Sequence, residues 1–249
     1  MASTHTAPMV LDVPHRHDRH SPLHRAILRA LGPLSGMRLL DVGCGVGLLL
    51  RAAERRGALV AGVDTAVERL EIARWALPDA DLRVGDVDAL PFDNGTFDVV
   101  TACGGVGTGT ALAELTRVVR PGGRVAVGGW MHPAGCWAAT FGEHLRRLTR
   151  RDSVPLADDP GLEAGLWTAG LAVLTTGEVG CPARYPSLAA AWAAMLGSEQ
   201  LPLAIRLAGE RAVYEAFVAS VEPAMGTDGT VLLSKAFRYA VAMTPVRNA

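Results

Sequence analysis

The sequence predicts an α/β fold built on a mostly parallel sheet, and three observations support this prediction. Short apolar runs alternate along the chain with segments rich in helix-forming residues. The first apolar run, residues 39–42, is followed by alternating glycines at Gly43, Gly45 and Gly47. Three of the runs end on, or just before, an acidic residue. Apolar strands that alternate with helices are typical of a sheet buried on both faces.

The glycine turn joins the first predicted strand to a helix predicted over residues 48–56. Glycine accepts positive φ and carries no Cβ, so backbone N–H groups can come close to a ligand. In open α/β sheets the ligand lies at this edge of the sheet. The turn, with Asp41 just before it, is therefore the predicted ligand site. A tight turn without a ligand is the alternative interpretation.

The glycine spacing favours one kind of cofactor over another. A dinucleotide turn has the pattern G-x-G-x-x-G/A, and Leu48 stands where its third small residue should be. The spacing here is D-x-G-x-G-x-G. A nicotinamide dehydrogenase is also disfavoured because no Tyr-x-x-x-Lys pair occurs.

Acidic residues end the second and third predicted strands. Asp64 follows the run 58–63, about 20 residues beyond the glycines, where an acid can accept hydrogen bonds from ribose hydroxyls. Its alternative is a helix-capping acid, although Thr65 is the predicted cap of a helix over residues 66–75. Asp86 ends the run 82–86 and precedes Val87. A carboxylate and an apolar side chain in this place suit an adenine ring, and a plain turn aspartate is the alternative.

These motifs resemble, in order, those of the class I S-adenosylmethionine-dependent methyltransferases, and they cover roughly residues 36 to 130. The matching segments are residues 39–47, 62–64, 85–86, 89–92, 97–100 and 120–124. Residues 181–186 and 237–242 are similar to a bacterial subgroup that methylates small molecules. The resemblance implies a Rossmann-like seven-stranded, mostly parallel sheet with an antiparallel terminal hairpin, formed by residues 172–179 and 231–242, and a small helical lid.

The resemblance also implies S-adenosylmethionine as the cofactor and a set of residues that bind it. The glycine turn would hold the methionine end, the acid after the second strand the ribose, and the acid after the third strand the adenine. The implied cofactor-binding residues are Asp41, Gly43, Cys44, Gly45, Gly47, Asp64, Thr65, Asp86, Val87 and Cys103. Cys103 would contribute its backbone carbonyl.

The acceptor side departs from the family pattern. Residues 103–109 form a short stretch rich in glycine, where family members usually carry several more residues, often with an aromatic residue or a histidine. His132, after the fifth predicted strand (residues 125–129), is the best-placed general base, and a surface histidine is its alternative. His144 and Tyr185 are weaker candidates.

The rest of the chain is interpreted as an N-terminal arm and helix over residues 1–35, before a domain over residues 36–249. Helical insertions at about residues 131–165 and 188–228 would form the lid over an apolar acceptor pocket. The arm is rich in histidine but lacks an accompanying cluster of acids or cysteines, so no metal site is expected. Cys44, Cys103, Cys136 and Cys181 form no C-x-x-C pair, which disfavours zinc and a disulfide framework.

Charge and hydropathy limit the partners. A formal net charge of -1 provides no field that would attract nucleic acid. No apolar signal core opens the chain and no apolar run is long enough to span a bilayer, so a cytoplasmic protein without a membrane partner is expected. A homodimer is one candidate assembly.

The predicted function is methyl transfer to an O, N or C nucleophile of an apolar small molecule, with a natural-product intermediate as one candidate. The bare glycine loop leaves a second hypothesis open, in which the chain binds S-adenosylmethionine but catalyses a cyclisation or rearrangement without methyl transfer. A non-enzymatic binding module is the third.

Overall fold

A computed structural model describes residues 21–103, 109–131, 136–150, 162–196 and 201–246 of the chain. A seven-stranded sheet forms its centre, with the order β3-β2-β1-β4-β5-β7-β6. The strands are β1 (Arg38–Val42), β2 (Leu59–Asp64), β3 (Asp81–Val84), β4 (Phe97–Ala102), β5 (Val119–Met131), β6 (Ala172–Tyr185) and β7 (Val231–Met243). The pairs from β3 to β5 are parallel, and β7 runs antiparallel to both β5 and β6. The predicted α/β class, with an antiparallel terminal hairpin, is confirmed.

Helices cover both faces of the sheet and one end of it. They are α1 (Ser21–Ala30), α2 (Leu48–Glu54), α3 (Val67–Ala76), α4 (Gly109–Val118), α5 (Trp137–Thr149), α6 (Leu162–Thr168), α7 (Leu188–Leu196), α8 (Leu201–Ala208) and α9 (Glu210–Val221), and a 3-10 turn (Glu222–Ala224) follows α9.

The pleat of the strands divides the core into two layers. Leu39 packs with α1, α2 and α3 on one face of the sheet, and its neighbour Leu40 packs with α4 and α6 on the other. Both leucines are fully buried. Successive side chains of a strand point to opposite faces, so an apolar run without alternation indicates a strand covered on both sides. The sequence pattern therefore predicted both layers.

A third apolar cluster forms the helical lid, defined as α5, α7, α8 and α9. The last residue of β5, Met131, pairs with Ala236, whereas the β6–β7 ladder continues for five more pairs, from Cys181↔Lys235 to Tyr185↔Val231. At about 3.4 Å per residue, the hairpin extends about 17 Å beyond the end of β5. The lid packs on this extension, where Phe217 contacts the rings of Trp137 and Phe141.

Several predicted boundaries differ from the observed ones. Strand β6 continues to Tyr185 instead of ending at residue 179, because β7 supplies hydrogen-bonding partners along its whole length. Strand β5 begins at Val119, which pairs with Phe97 before a register shift, so α4 ends directly before it at Val118.

The predicted lid insertion over residues 188–228 contains α7 to α9 and the 3-10 turn, and the insertion at residues 131–165 contains α5 and the start of α6. Helix α1 contacts β6 and β7, with Leu23 and Ile27 fully buried. The division of the chain at residue 35 stays a prediction.

Within the described ranges, no single helix has the length and apolar character needed to cross a membrane. Helices α7 and α8 together have the length and apolar composition of a membrane span, but they are bent at 99° to each other, and length and composition are the only properties that fit.

Candidate cofactor site

The glycine turn is fastened to the end of the neighbouring strand β2. Gly43, Gly45 and Gly47 have φ values of 73°, 54° and 80°, which other residues rarely adopt. The N–H groups of Gly43 and Cys44 donate to Val63 O at 2.8 and 3.0 Å. The turn thus follows β1 directly and lies beside the carboxyl end of β2.

The glycines of the turn have two different roles. A Cβ on Gly43 or Gly45 would meet no described atom within 4 Å, so the part of the chain that the structure describes leaves open space on that side of the turn. A Cβ on Gly47 would lie 2.9 Å from Leu77 Cδ1, so Gly47 also serves the packing of α2 against α3. Gly62 on β2, which was not singled out as a site residue, leaves room for the Cys44 side chain in the same way.

Asp64 ends β2 and is buried, with 4% of its surface exposed. One of its carboxylate oxygens accepts the Gly45 N–H at 2.8 Å, and the other accepts the Ala66 N–H at 2.9 Å. The Arg69 guanidinium lies 3.8 Å from the carboxylate. A carboxylate can accept about four hydrogen bonds, so the two N–H groups use about half of its acceptor capacity.

This geometry corrects the prediction that Thr65 caps the third helix. Helix α3 begins at Val67, its N-cap residue is Ala66, and no side chain of that residue caps it. Asp64 instead satisfies the Ala66 N–H. Thr65 is exposed beside Asp64, and its contact with the cofactor stays a prediction.

Asp41 is the second buried acid of the site, at 4% exposure. Burial raises the pKa of its carboxyl to about 7, although the Thr101 hydroxyl opposes the shift and the Asp64 charge adds to it. Thr101 Oγ1 donates to Asp41 Oδ1 at 2.6 Å from the facing position on β4. Thr101 was not among the predicted site residues, because its only signal in the sequence is a hydroxyl in an otherwise apolar strand end.

Asp86 and Val87 follow β3 at the same edge of the sheet. Strand β3 ends at Val84 instead of residue 86, because a bridge between Asp86 and Ala89 turns the chain. Asp86 Oδ1 accepts the Asp88 N–H at 3.0 Å, and the carboxylate is exposed. Val87 is half-buried against the sheet core.

The two cysteines of the predicted site are neutral thiols. Burial raises the pKa of Cys44 and of Cys103 above the ordinary value of a thiol, and the Asp41 charge adds to both shifts. A thiol is a weak nucleophile until it ionises, so neither side chain is suited to covalent chemistry. The predicted contact between the backbone carbonyl of Cys103 and the cofactor does not involve the thiol, and it stays a prediction.

His132 lies outside the described residues, as do residues 104–108 of the glycine loop. The weaker base candidates lie in the lid. His144 Nδ1 is 3.0 Å from Ser220 Oγ and links α5 to α9, and Tyr185 is buried in the lid cluster. Among the described ranges, no group of three or more His, Cys, Asp or Glu side chains could hold a metal ion.

The fold and this edge of the sheet define a class of protein, the Rossmann-like α/β proteins that bind a nucleotide cofactor beside a glycine turn. The family described as methyltransferase domain matches residues 40–127. A demethylmenaquinone methyltransferase of Streptomyces avermitilis is 32% identical over 157 residues, covering 57% of this chain and 67% of that protein. The chain belongs to the class I S-adenosylmethionine-dependent methyltransferases. The predicted family and its cofactor are confirmed.

Two further comparisons agree with this assignment. A demethylmenaquinone methyltransferase of Renibacterium salmoninarum is 34% identical over 128 residues, covering 49% of this chain and 54% of that protein. The chain therefore spans between about half and two thirds of the length of these curated relatives. The crystal structure of the YcgJ protein from Bacillus subtilis superposes with a TM-score of 0.64 at 19% identity, covering 91% of this chain and 99% of that one. This likeness shows the fold alone.

The two roles of the turn glycines predict that the same substitution affects cofactor binding at Gly45 and stability at Gly47. Gly45→Asn should weaken S-adenosylmethionine binding at least about tenfold with little change in melting temperature, because asparagine tolerates positive φ and its side chain would enter the open space. Gly47→Asn should instead destabilise the fold by about 1–3 kcal/mol, because its Cβ would overlap Leu77. Calorimetry and thermal unfolding of both variants test this. Equal losses of melting temperature would make Gly45 a structural residue only.

Proposed function

We propose that this chain transfers the methyl group of S-adenosylmethionine to an O, N or C nucleophile of an apolar small molecule. The observation that carries the proposal is the glycine turn bound to Asp64, with open space beside Gly43 and Gly45. The curated relatives support it, because both are named for the methylation of demethylmenaquinone, a small molecule. They do not favour the alternative of cyclisation without methyl transfer.

Each end of the cofactor has a partner in this proposal. The backbone of Gly43 to Gly45 receives the methionine end, and the free acceptor positions of Asp64 receive the ribose hydroxyls. The exposed oxygen of Asp86 accepts the adenine amino group, and Val87 covers the ring. When bound, S-adenosylmethionine supplies a methyl group already activated by its sulfonium, so the chain has mainly to align the nucleophile and exclude water.

The acceptor pocket belongs between the sheet edge and the lid. The β6–β7 extension carries the lid past the end of β5, on the side to which the carboxyl ends of β1 and β4 also point. Trp137 Nε1 donates to Ser234 O at 2.9 Å and so joins the first turn of α5 to β7. An apolar lid beside a polar cofactor site suits an apolar acceptor with one reactive polar group.

The test uses S-adenosylmethionine whose methyl group carries deuterium, together with a panel of quinone and phenol acceptors. Mass spectrometry should find an acceptor that gains the labelled methyl group, and S-adenosylhomocysteine should appear in equal amount. A product formed at unchanged mass would contradict methyl transfer and favour the rearrangement. Absence of saturable S-adenosylmethionine binding would contradict the proposal as a whole.

We also propose His132 as the general base for a hydroxyl acceptor. His132→Ala should then lower kcat by about 10²–10⁴-fold and remove the fall of the rate below neutral pH. His132→Asn separates this role from simple orientation of the acceptor. A loss within about tenfold in both variants, with the pH profile unchanged, would remove His132 from catalysis.

A further inference from the structure

Helix α4 carries an arginine whose five N–H donors all have acceptors. Arg117 Nε donates to Glu114 Oε1 at 2.7 Å, and Nη2 donates to Glu114 Oε2 at 2.7 Å and to Leu90 O at 3.0 Å. Nη1 donates to Phe92 O at 2.7 Å and to Asn94 Oδ1 at 2.9 Å. A guanidinium has five donors in a fixed plane, so this arrangement uses all of them.

Glu114 completes the contact with the same segment. Its Oε2 accepts the Leu90 N–H at 2.7 Å, so the pair holds both the N–H and the C=O of Leu90. The hydrogen bond from Arg117 lowers the pKa of Glu114. The two side chains are 31% and 18% exposed, which places them largely beneath the segment instead of on the open surface.

The other side of the segment is packed as well. A Cβ on Gly85 would lie 3.0 Å from Pro91 Cδ, so the proline ring rests on the residue before Asp86. The Arg83 guanidinium lies 4.3 Å from the centre of the Phe92 ring and donates to Pro91 O. Residues 90–94 are therefore held between β3 and α4.

We propose that Arg117 and Glu114 are positioning residues that set the recognition of the adenine ring at Asp86 and Val87. This inference rests on the proposed function. The turn that carries Asp86 and Val87 closes at Ala89, one residue before Leu90. The hydrogen bonds of Arg117 and Glu114 to the backbone of Leu90 form a clamp, and this clamp fixes the positions of the Asp86 and Val87 side chains. Arg117 and Glu114 act through this turn and do not touch the cofactor.

The clamp depends on the shape of the arginine and not on its charge alone. Lysine has three donors on a flexible stem and cannot span the acceptors of Leu90, Phe92 and Asn94 together. Arg117→Lys therefore keeps the charge beside Glu114 and releases the turn. Arg120→Lys is the matched control, because Arg120 pairs with Asp98 at 2.6 Å and makes no hydrogen bond to residues 86–94.

The experiment compares calorimetric affinities for S-adenosylhomocysteine and for its inosine counterpart, which lacks the adenine amino group. The unmodified chain and Arg120→Lys should prefer the adenine compound about tenfold or more. In Arg117→Lys the preference for the adenine compound should fall to within about threefold, because Asp86 is no longer positioned to accept a hydrogen bond from the amino group. If Arg117→Lys does not fold, the same pair of affinities is measured for Glu114→Gln.

Each outcome separates the inference from its basis. A purely structural role would lower the melting temperature and both affinities together and leave the ratio unchanged in Arg117→Lys, which would overturn the inference alone. If the unmodified chain fails to bind S-adenosylhomocysteine, the proposed function falls and the inference with it. If it binds both compounds equally, the adenine assignment of Asp86 is wrong, and the positioning role is overturned while methyl transfer stands.

Discussion

Asp64→Ala should lose both cofactor affinity and stability. The substitution removes the acceptor of the Gly45 and Ala66 N–H groups, and a buried donor left without a partner costs about 1–3 kcal/mol. It also removes the acceptor proposed for the ribose, so S-adenosylmethionine affinity should fall by about 10²-fold or more. Calorimetry and thermal unfolding measure the two losses.

Asp64→Asn separates the two roles of the carboxylate. Its single amide oxygen can keep one of the two backbone N–H groups, so the melting temperature should fall less than in Asp64→Ala. The affinity should fall nearly as far, because the charge is gone and the amide oxygen has at most one acceptor position left for the two ribose hydroxyls. Asp79→Ala, an exposed acid after α3, is the control and should change neither quantity. Unchanged affinity in a folded Asp64→Ala would remove Asp64 from the site.

Asp41 should make the free energy of unfolding fall as the pH rises from about 4 to 7. Burial raises the pKa of its carboxyl from 3.8 to about 7, so the folded chain keeps a proton that the unfolded chain has lost. This contribution is fully present below pH 4 and falls by about 1.4 kcal/mol per pH unit until the folded group ionises. Carboxylates such as Asp98 and Glu114, whose pKa values are lowered, act in the opposite direction in the acid range.

Asp41→Asn should remove this dependence while keeping the Thr101 hydrogen bond. Chemical denaturation of the unmodified chain and of Asp41→Asn between pH 5.5 and 7.5 gives the free energy of unfolding as a function of pH, and the difference between the two slopes is the contribution of Asp41. At pH 8 Asp41→Asn should be the more stable protein. Thr101→Val is a second variant. It should raise the pKa of Asp41 further, because it removes a hydrogen bond that favours the charged form. Parallel slopes for the unmodified chain and Asp41→Asn would contradict the shift.

The same proton should be released when S-adenosylmethionine binds. A positively charged ligand favours the ionised form of Asp41, so at pH 6 the unmodified chain should release a proton on binding and Asp41→Asn should not. Binding enthalpies in two buffers with different ionisation enthalpies give the number of protons released. Equal proton release in the two proteins would mean that Asp41 does not face the charged end of the cofactor.

The sequence by itself determined the fold class and the edge of the sheet where the candidate site lies. Apolar runs such as residues 39–42 are local signals, because a strand buried on both faces must be apolar on both. The positive φ of Gly43 and Gly45 is equally local, since few other residues adopt it. The chain order of parallel strands then brings Asp41, Asp64 and Asp86 to one edge without knowledge of any contact.

Only the tertiary structure decided which contacts the residues at this edge and around it make. Asp64 meets the Gly45 N–H across 19 residues, Arg117 meets Leu90 across 27, and Trp137 meets Ser234 across 97. No local pattern marks such pairs, so the sequence predicted Thr65 as the cap, assigned Gly47 only to the cofactor, and gave no signal for the contacts of Arg117. Hydrogen bonds and close packing depend on atoms that the fold brings together, and these contacts decide the role of a residue whose type is already known.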